Sequence, residues 1–218
     1  TLYQNHRTAT ILADLEQNAQ RRLASFTGLN AGAEISPGGS RMAVCLSRDD
    51  HVELYNVSLA NPSSLMRLTE GRAVESSPTW GPEGKRLCFV SDKSGRPHLY
   101  IMPASGGTKR RLTESYNEEV SPDWSPVSNR VCYATRVNGS YTIAVIDMAG
   151  NDAAPSRVTS GHGDWESPSW APDGRHLVCT RQTNGRTRLV MVDSWTGRTI
   201  PITQPHHISL PSWSAILN

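Results

Sequence analysis

The sequence has no run of about twenty apolar residues, the length that a helix needs to cross a bilayer, so we expect no transmembrane segment. It shows no signal peptide, and its first residues already read as part of a repeat, so we expect a mature or trimmed form of a longer protein. The formal net charge is only +2. Basic residues recur at spaced positions such as Arg41, Arg86 and Arg130, which indicates a solvated rim and argues against nucleic-acid binding.

The motifs of several enzyme classes are also missing. The sequence contains no Gly-x-Ser-x-Gly nucleophile elbow and no phosphate-binding glycine loop. No two histidines have the helical spacing of a zinc site, and the adjacent His206 and His207 would point to opposite sides of a strand. We therefore predict no catalytic residue, no metal site and no cofactor.

A repeat is the dominant feature that the sequence does have. Its anchor positions are Ile35, Trp80, Trp124, Trp170 and Trp213, separated by 45, 44, 46 and 43 residues. Most anchors follow a Ser-Pro pair and precede a turn rich in proline and glycine. A period of this size is typical of a repeat architecture.

Residues 75–113 show what one repeat contains. Short apolar runs at residues 78–80, 87–90, 98–102 and 108–113 are separated by Gly, Pro, Asp and Ser turns. Four such strands make an antiparallel meander, which cannot bury both of its faces alone. We therefore predict an all-β fold, a β-propeller of four-stranded antiparallel blades, in which the tryptophans wedge between neighbouring blades.

We interpret residues 1–218 as a single propeller domain. A partial blade covers residues 1–27, and a closing inner strand covers about residues 205–218. The complete repeats lie between them, at about residues 33–69, 70–113, 114–159 and 160–203. This division predicts about five blades, or an incomplete ring of a six-bladed parent, with residues 211–213 pairing beside residues 8–15.

The four cysteines fall in the second strand of their repeats, at Cys45, Cys88, Cys132 and Cys179. None belongs to a Cys-x-x-Cys pair. Equivalent positions in successive blades lie too far apart for a disulfide, whose Cα atoms must be within about 7 Å of each other. We expect four buried thiols that pack as small apolar residues.

Several of these motifs resemble a known family. They are Pro78-Thr79-Trp80, the segment SDKSGRPHLY at residues 91–100, Arg67-Leu68-Thr69 and Pro211-Ser212-Trp213-Ser214. They resemble the PD40 (WD40-like) repeat and, more narrowly, the C-terminal propeller of TolB proteins, the periplasmic components of the Tol–Pal cell-envelope system. The resemblance covers the whole chain and implies a periplasmic interaction protein without enzymatic activity. We expect the protein to be a monomer.

Loops that precede the inner strands form the predicted binding surface. They cover residues 27–32, 72–76, 116–120, 162–166 and 206–209, and in a propeller they emerge on one face around the channel mouth. In the TolB family this face binds the lipoprotein Pal and the TolB-binding epitopes of some colicins, which implies a Pal-like partner and colicin-type peptides here. By resemblance, the matching positions are residues 29–32 and 72–76, although Leu29 stands where the family has a histidine.

The predicted partner-binding residues are Leu29, Asn30, Glu75, Ser76, Tyr116, Asn117, Glu118, Glu119, His162, Asp164, Trp165 and His206. Trp165 and Tyr116 are the best anchor candidates, because aromatic residues dominate interface hot spots.

Two other functions are compatible with a PD40 propeller. The first is a gating propeller of a prolyl-oligopeptidase-type peptidase, which requires an α/β-hydrolase segment elsewhere in the gene. The second is a propeller enzyme acting at the channel mouth, which requires a histidine-rich metal cluster. The histidines are scattered over different strands and turns, which disfavours the second.

Overall fold

The computed structural model describes residues 2–4, 7–14, 17–24, 28–48, 51–114, 117–149, 154–203 and 208–213. Within these residues every regular element is a β-strand, which confirms the predicted all-β fold. The same residues contain no helix that is long and apolar enough to span a membrane. The chain divides into two compact units, residues 1–110 and 111–218.

The first unit contains antiparallel sheets whose hydrogen-bonded neighbours follow one another in the chain. The first sheet, among the described residues, consists of β1 (Leu2–Gln4), β2 (Arg7–Asp14) and β3 (Ala19–Ala24). The second consists of β4 (Asn30–Ile35), β5 (Arg41–Arg48), β6 (His51–Ser58) and β7 (Leu65–Arg67). The third, whose last strand lies at the boundary between the units, consists of β8 (Glu75–Trp80), β9 (Arg86–Ser91), β10 (His98–Pro103) and β11 (Arg110–Arg111).

The second unit repeats this arrangement in two further four-stranded sheets. One consists of β12 (Glu119–Trp124), β13 (Arg130–Val137), β14 (Ser140–Asp147) and β15 (Ser156–Arg157). The other consists of β16 (Asp164–Trp170), β17 (His176–Thr183), β18 (Arg186–Asp193) and β19 (Thr199–Pro201). The four-stranded antiparallel blade of the sequence analysis is therefore confirmed, whereas the number of blades stays a prediction.

Each inner strand contains a β-bulge three residues before its anchor. In β8 the pairing with β9 shifts between Ser76 and Thr79, and the intervening Ser77 has a φ of 48°. The equivalent residues in the other repeats are Gly32, Ser121, Ser167 and Leu210, with φ values of 60°, 52°, 51° and 53°. A bulge adds one residue to one strand and bends it. It therefore re-aims the side chains at the start of each inner strand.

The two Asn-Gly hairpins form as the sequence predicts. Asn138 and Gly139 have φ values of 51° and 88°, and Asn184 and Gly185 have values of 51° and 72°. Two successive positive φ angles define the type I′ turn that matches the twist of the flanking strands. One of these turns, between β13 and β14, forms a wall of the cleft described below.

The anchor tryptophans join neighbouring sheets inside each unit. The Trp170 backbone N–H donates to the Asp123 carboxylate at 2.6 Å, and its indole N–H donates to the Asp123 carbonyl at 3.0 Å. In the first unit Trp80 makes the same two bonds to Glu34, at 3.2 and 3.0 Å. The predicted position of these rings between blades is therefore confirmed within each unit.

Arginines stack on these rings and do not only form a solvated rim. The guanidinium of Arg41 lies 5.4 Å from the Trp80 ring, and that of Arg130 lies 5.0 Å from the Trp170 ring. A guanidinium over an indole face is attracted to its negative quadrupole. Two of the three spaced arginines named above therefore pack against an anchor.

Three of the four complete repeats end in a threonine that caps their third strand. Thr69 Oγ1 accepts the N–H of Leu54 at 2.9 Å, Thr159 Oγ1 that of Ile143 at 2.9 Å, and Thr203 Oγ1 that of Leu189 at 3.0 Å. The short outer strand has ended at this point, so the hydroxyl takes the place of a ladder carbonyl. This bond gives a physical reason for the Arg-Leu-Thr motif.

The four cysteines are buried and unpaired by disulfides, as predicted. Burial raises the pKa of the Cys45 and Cys179 thiols to about 12. A thiol with such a pKa is neutral at physiological pH and behaves as a small apolar side chain. The cysteines therefore belong to the cores of the sheets.

The end of the chain is predicted to form the closing inner strand. Strand β2 is paired with β1 over residues 7–9 and with β3 over residues 10–14, and the pairing of residues 211–213 beside it stays a prediction. Residues 208–213 carry no strand pairing, although the Trp213 N–H contacts Ser169 Oγ at 3.4 Å. The rest of the predicted closing strand lies outside the described residues, so ring closure and the single-domain organisation stay predictions.

Candidate partner-binding surface

Six of the residues predicted to lie in loops instead belong to the inner strands. They are Asn30 in β4, Glu75 and Ser76 in β8, Glu119 in β12, and Asp164 and Trp165 in β16. The loop assignment was wrong because the bulge interrupts the apolar alternation, and the strand therefore starts about five residues before its anchor. Tyr116 and His206 lie outside the described residues.

The side chain five residues before four of the anchors, Ile35, Trp80, Trp124 and Trp170, is buried, although it is polar or amphipathic. These side chains are Asn30, Glu75, Glu119 and Trp165. Only 2% of the surface of Trp165 is accessible, so it is not the exposed anchor that the sequence suggested. The position instead fixes the end of the inner strand to its surroundings, and it can affect a partner through the loop that it holds.

Glu75 and Asn30 fix two such ends in the first unit. The Glu75 carboxylate is ion-paired with Lys109, and burial raises its pKa above the usual 4.5. The Asn30 amide donates to the carbonyls of Thr8 at 3.0 Å and Gly28 at 3.1 Å. The exposed Leu29 and the half-buried Ser76 are thereby held on rigid strand ends.

The second unit brings several predicted residues together around Tyr141. The Tyr141 N–H donates to the Asp164 carboxylate at 2.8 Å, and its hydroxyl donates to the Glu118 carboxylate at 3.3 Å. Arg136 pairs with Glu118 at 3.3 Å and lies 6.0 Å from the Tyr141 ring. Burial, followed by the charge of Glu118, raises the pKa of the Tyr141 phenol. Glu119, next to Glu118, is buried and accepts the Thr113 hydroxyl.

Arg181 holds the loop that carries His162. Its guanidinium donates to the His162 carbonyl at 3.2 and 2.9 Å and lies 4.7 Å from the Trp165 ring. The His162 side chain is exposed, as is that of Asn117 at the neighbouring strand start. Burial, followed by the charge of Asp164, raises the pKa of Glu166. Arg181 therefore fixes the backbone of this loop, and the His162 side chain stays exposed to solvent.

Sequence reasoning missed Arg136, Tyr141 and Arg181. Tyr141 lies two residues after the Asn138-Gly139 turn and Arg136 two residues before it, so a hairpin that reaches the same face was the available signal. Arg181 had no such signal, because only the fold shows that it stacks on Trp165. In the described residues, no group of three or more His, Cys, Asp or Glu side chains is arranged to hold a metal ion.

Comparison with protein families gives one match over nearly the whole chain. The family model PD40, described as the TolB beta propeller domain, matches residues 1–217. Among curated proteins, the Tol-Pal system protein TolB of Bordetella pertussis is 32% identical over 93 residues, which are 43% of this chain and 21% of that protein. The matched segment is thus about a fifth of the relative's length.

Solved structures share the fold. TolB from Acinetobacter baumannii superposes with a TM-score of 0.80 at 24% identity, over 94% of this chain and 51% of that one. A puromycin-hydrolyzing peptidase from Mycobacterium tuberculosis has a TM-score of 0.67 at 20% identity, over 88% of this chain and 31% of that one. At these identities the likeness concerns the fold alone.

Proposed function

The chain belongs to the TolB beta propeller family, and we propose that it is a non-catalytic interaction module that binds a Pal-like lipoprotein of the cell envelope. The relative's name places that protein in the Tol-Pal system, which supports this partner. Colicin-type peptides are the second class of partner for the same surface. The proposed location is the periplasm, which cell fractionation tests directly.

The observation that carries the proposal is the way the strand starts are built. Buried polar side chains fix each end, and exposed side chains stand beside them at Leu29, Asn117 and His162. A protein interface gains affinity when its contact residues are held in place before binding, because less conformational entropy is lost. The charged residues of this surface are engaged in structural bonds, as in the pairs of Glu75 with Lys109 and Glu118 with Arg136.

Calorimetric titration with a soluble Pal domain tests the proposal. Trp165 is unsuitable for substitution because it lies in the core of the second unit. We instead propose Leu29→Arg, Asn117→Arg and His162→Glu, each of which places a charge on the surface without touching the core. Ile200→Arg is the matched control, since Ile200 is 54% exposed on β19 and outside the proposed surface.

We expect the Pal domain to bind the unaltered chain and the Ile200→Arg control equally. At least one surface variant should bind about tenfold more weakly, because a few residues carry most of an interface's energy. Equal binding by all variants would show that the partner binds at a different surface. Failure of a demonstrably folded chain to bind would refute the proposed partner.

A gating propeller of a peptidase is the second candidate, supported by the fold likeness to the puromycin-hydrolyzing peptidase. In that case the complete reading frame should also encode an α/β-hydrolase segment. Sequencing the full gene distinguishes the two candidates, because a Tol-Pal module does not need such a segment.

A further inference from the structure

A cleft of about 590 Å³ opens in the second unit between the β13–β14 turn and the segment that connects β15 with β16. This volume lies within the range of ligand sites, roughly 300–1,000 Å³. Asn138 and Ser140 line it from the turn, Arg157 from the end of β15, Ser160 from the connecting segment, and Trp165 from the start of β16. Most ligand sites are lined mainly by apolar groups. The lining of this cleft is about half polar, so it offers several hydrogen-bonding groups to a ligand.

Trp165 lines this cleft and carries a buried hydrogen-bond donor that has no partner among the described residues. Its side chain is 2% exposed, and its indole N–H bonds to no described residue. Buried polar groups are nearly always hydrogen-bonded, so an exception calls for an acceptor supplied from elsewhere. The indoles of Trp80 and Trp170 donate to the carbonyls of Glu34 and Asp123, so the fold can satisfy a buried indole N–H at these positions.

Arg157 supplies positive charge to the same cleft. Its side chain is exposed, and it forms no ion pair or side-chain hydrogen bond with a described residue. None of the residues that line the cleft is an Asp or a Glu. The carboxylate of Asp164, the residue before Trp165, accepts the N–H of the lining residue Tyr141 at 2.8 Å and is thus engaged by the backbone. The free donors in the cleft thus have no acidic counterpart among its lining residues.

The walls of the cleft are fixed by bonds of their own. The hydroxyls of Thr142 and Thr159 lie 2.9 Å apart, and the Ile143 N–H donates to Thr159 Oγ1. Gly163 has a φ of 99° and packs so closely that a Cβ there would lie 2.2 Å from the Gln182 carbonyl oxygen. A preformed cleft binds with less loss of entropy than one that must be assembled.

We propose that this cleft binds the carboxylate of a small polar ligand. The carboxylate accepts from the Arg157 guanidinium, whose planar donors match it in a bidentate manner, and from the Trp165 indole N–H. The Asn138 amide and the hydroxyls of Ser140 and Ser160 bind the neutral part of the ligand. The same chemistry is offered by the α-carboxylate of a peptide and by an acidic sugar. This inference does not depend on the proposed partner protein.

The test follows the indole N–H resonances of the six tryptophans by ¹⁵N–¹H NMR, with Trp165 assigned by its loss in Trp165→Phe. The peptide probe is N-acetyl-Ala-Ala, with its C-terminal amide as the uncharged counterpart. The sugar probe is glucuronic acid, with glucose as the uncharged counterpart. Arg157→Gln removes the guanidinium, and Arg198→Gln is the matched control, since Arg198 is equally exposed but does not line the cleft.

We expect one of the two carboxylates to shift the Trp165 resonance, and its uncharged counterpart to leave it unchanged. The probe that acts identifies the source of the carboxylate. Arg157→Gln should weaken binding about tenfold or more, the usual effect of losing a charge-assisted hydrogen bond, and Arg198→Gln should not. The proposal is overturned if neither carboxylate moves the resonance at millimolar concentration. It is equally overturned if the uncharged probes act as well, or if Arg157→Gln binds like the unaltered chain.

Discussion

The threonine caps allow a prediction that depends on burial at three equivalent positions. Replacing Thr69, Thr159 or Thr203 by valine keeps the shape of the side chain and removes the hydroxyl that accepts a strand N–H. The N–H groups involved belong to the fully buried Leu54 and Ile143 and to the half-buried Leu189. We therefore expect the cost to differ between positions although the substitution is the same.

The expected magnitudes follow from what each hydroxyl does. Thr159→Val leaves a buried N–H without an acceptor, which lowers the free energy of unfolding by about 1–3 kcal/mol, while the added methyl group contributes about 0.8 kcal/mol. The net loss of stability is therefore about 1–2 kcal/mol. Thr203→Val should cost less than about 1 kcal/mol, since water can reach the Leu189 N–H. Thr69 also donates to the buried Glu53 carboxylate at 2.6 Å. Losing this charged bond as well brings the cost of Thr69→Val to about 3 kcal/mol.

Urea unfolding monitored by tryptophan fluorescence measures these losses. Amide exchange at Ile143 and Leu189 reports the local bonds and guards against unfolding that is not two-state. Serine at each position is the control, because it restores the hydroxyl and should recover most of the loss at residues 69 and 159. Equal losses at all three positions, or the largest loss at residue 203, would refute the argument from burial.

Two further predictions concern single residues. Burial raises the pKa of folded Glu75 above its usual 4.5, so the folded chain binds this proton more tightly than the unfolded chain, and the free energy of unfolding should fall as the pH rises through the raised value. Urea unfolding between about pH 4 and pH 8 should show this slope in the unaltered chain and lose it in Glu75→Gln. An identical slope in both would contradict the assignment. Gly163→Ala should lower the melting temperature and disturb the loop of His162, because the new Cβ would overlap the Gln182 carbonyl. The control is Gly185→Ala: Gly185 also has a positive φ but no atom within 4 Å of such a Cβ, so the variant should lose only the backbone strain of about 1–3 kcal/mol in stability. Equal melting temperatures for the two variants would show that the overlap is relieved.

The blade could be predicted from the sequence because its signals are local. The spacing of Trp80, Trp124 and Trp170 and the Asn-Gly turns each reflect bonds made within one repeat or with the next. Contacts between elements without a sequence pattern were not predictable. The stacking of Arg181 on Trp165 joins residues whose relation only the fold defines.

The candidate surface was harder to predict because of the bulges. Reading Glu75 and Glu119 as loop residues follows from their polarity, yet each begins a strand and is buried. The repeat did carry a signal: serine recurs three residues before Trp80, Trp124 and Trp170, and glycine holds the equivalent position before Ile35. A positive φ at that position is what the recurrence reflects.

The bonds that Trp80, Trp170 and Trp213 make to the preceding repeat run in one direction along the chain. Trp80, Trp170 and Trp213 donate to Glu34, Asp123 and Ser169, so the later repeat supplies donors and the earlier repeat supplies acceptors. A ribosome releases the chain from its amino end, so each acceptor emerges before the tryptophan that needs it. A carbonyl of the nascent chain that has no protein partner yet can accept a hydrogen bond from water. The order of synthesis therefore matches the donor-to-acceptor direction of these contacts between repeats. A circular permutation that reversed the order of two such repeats would expose the donor first.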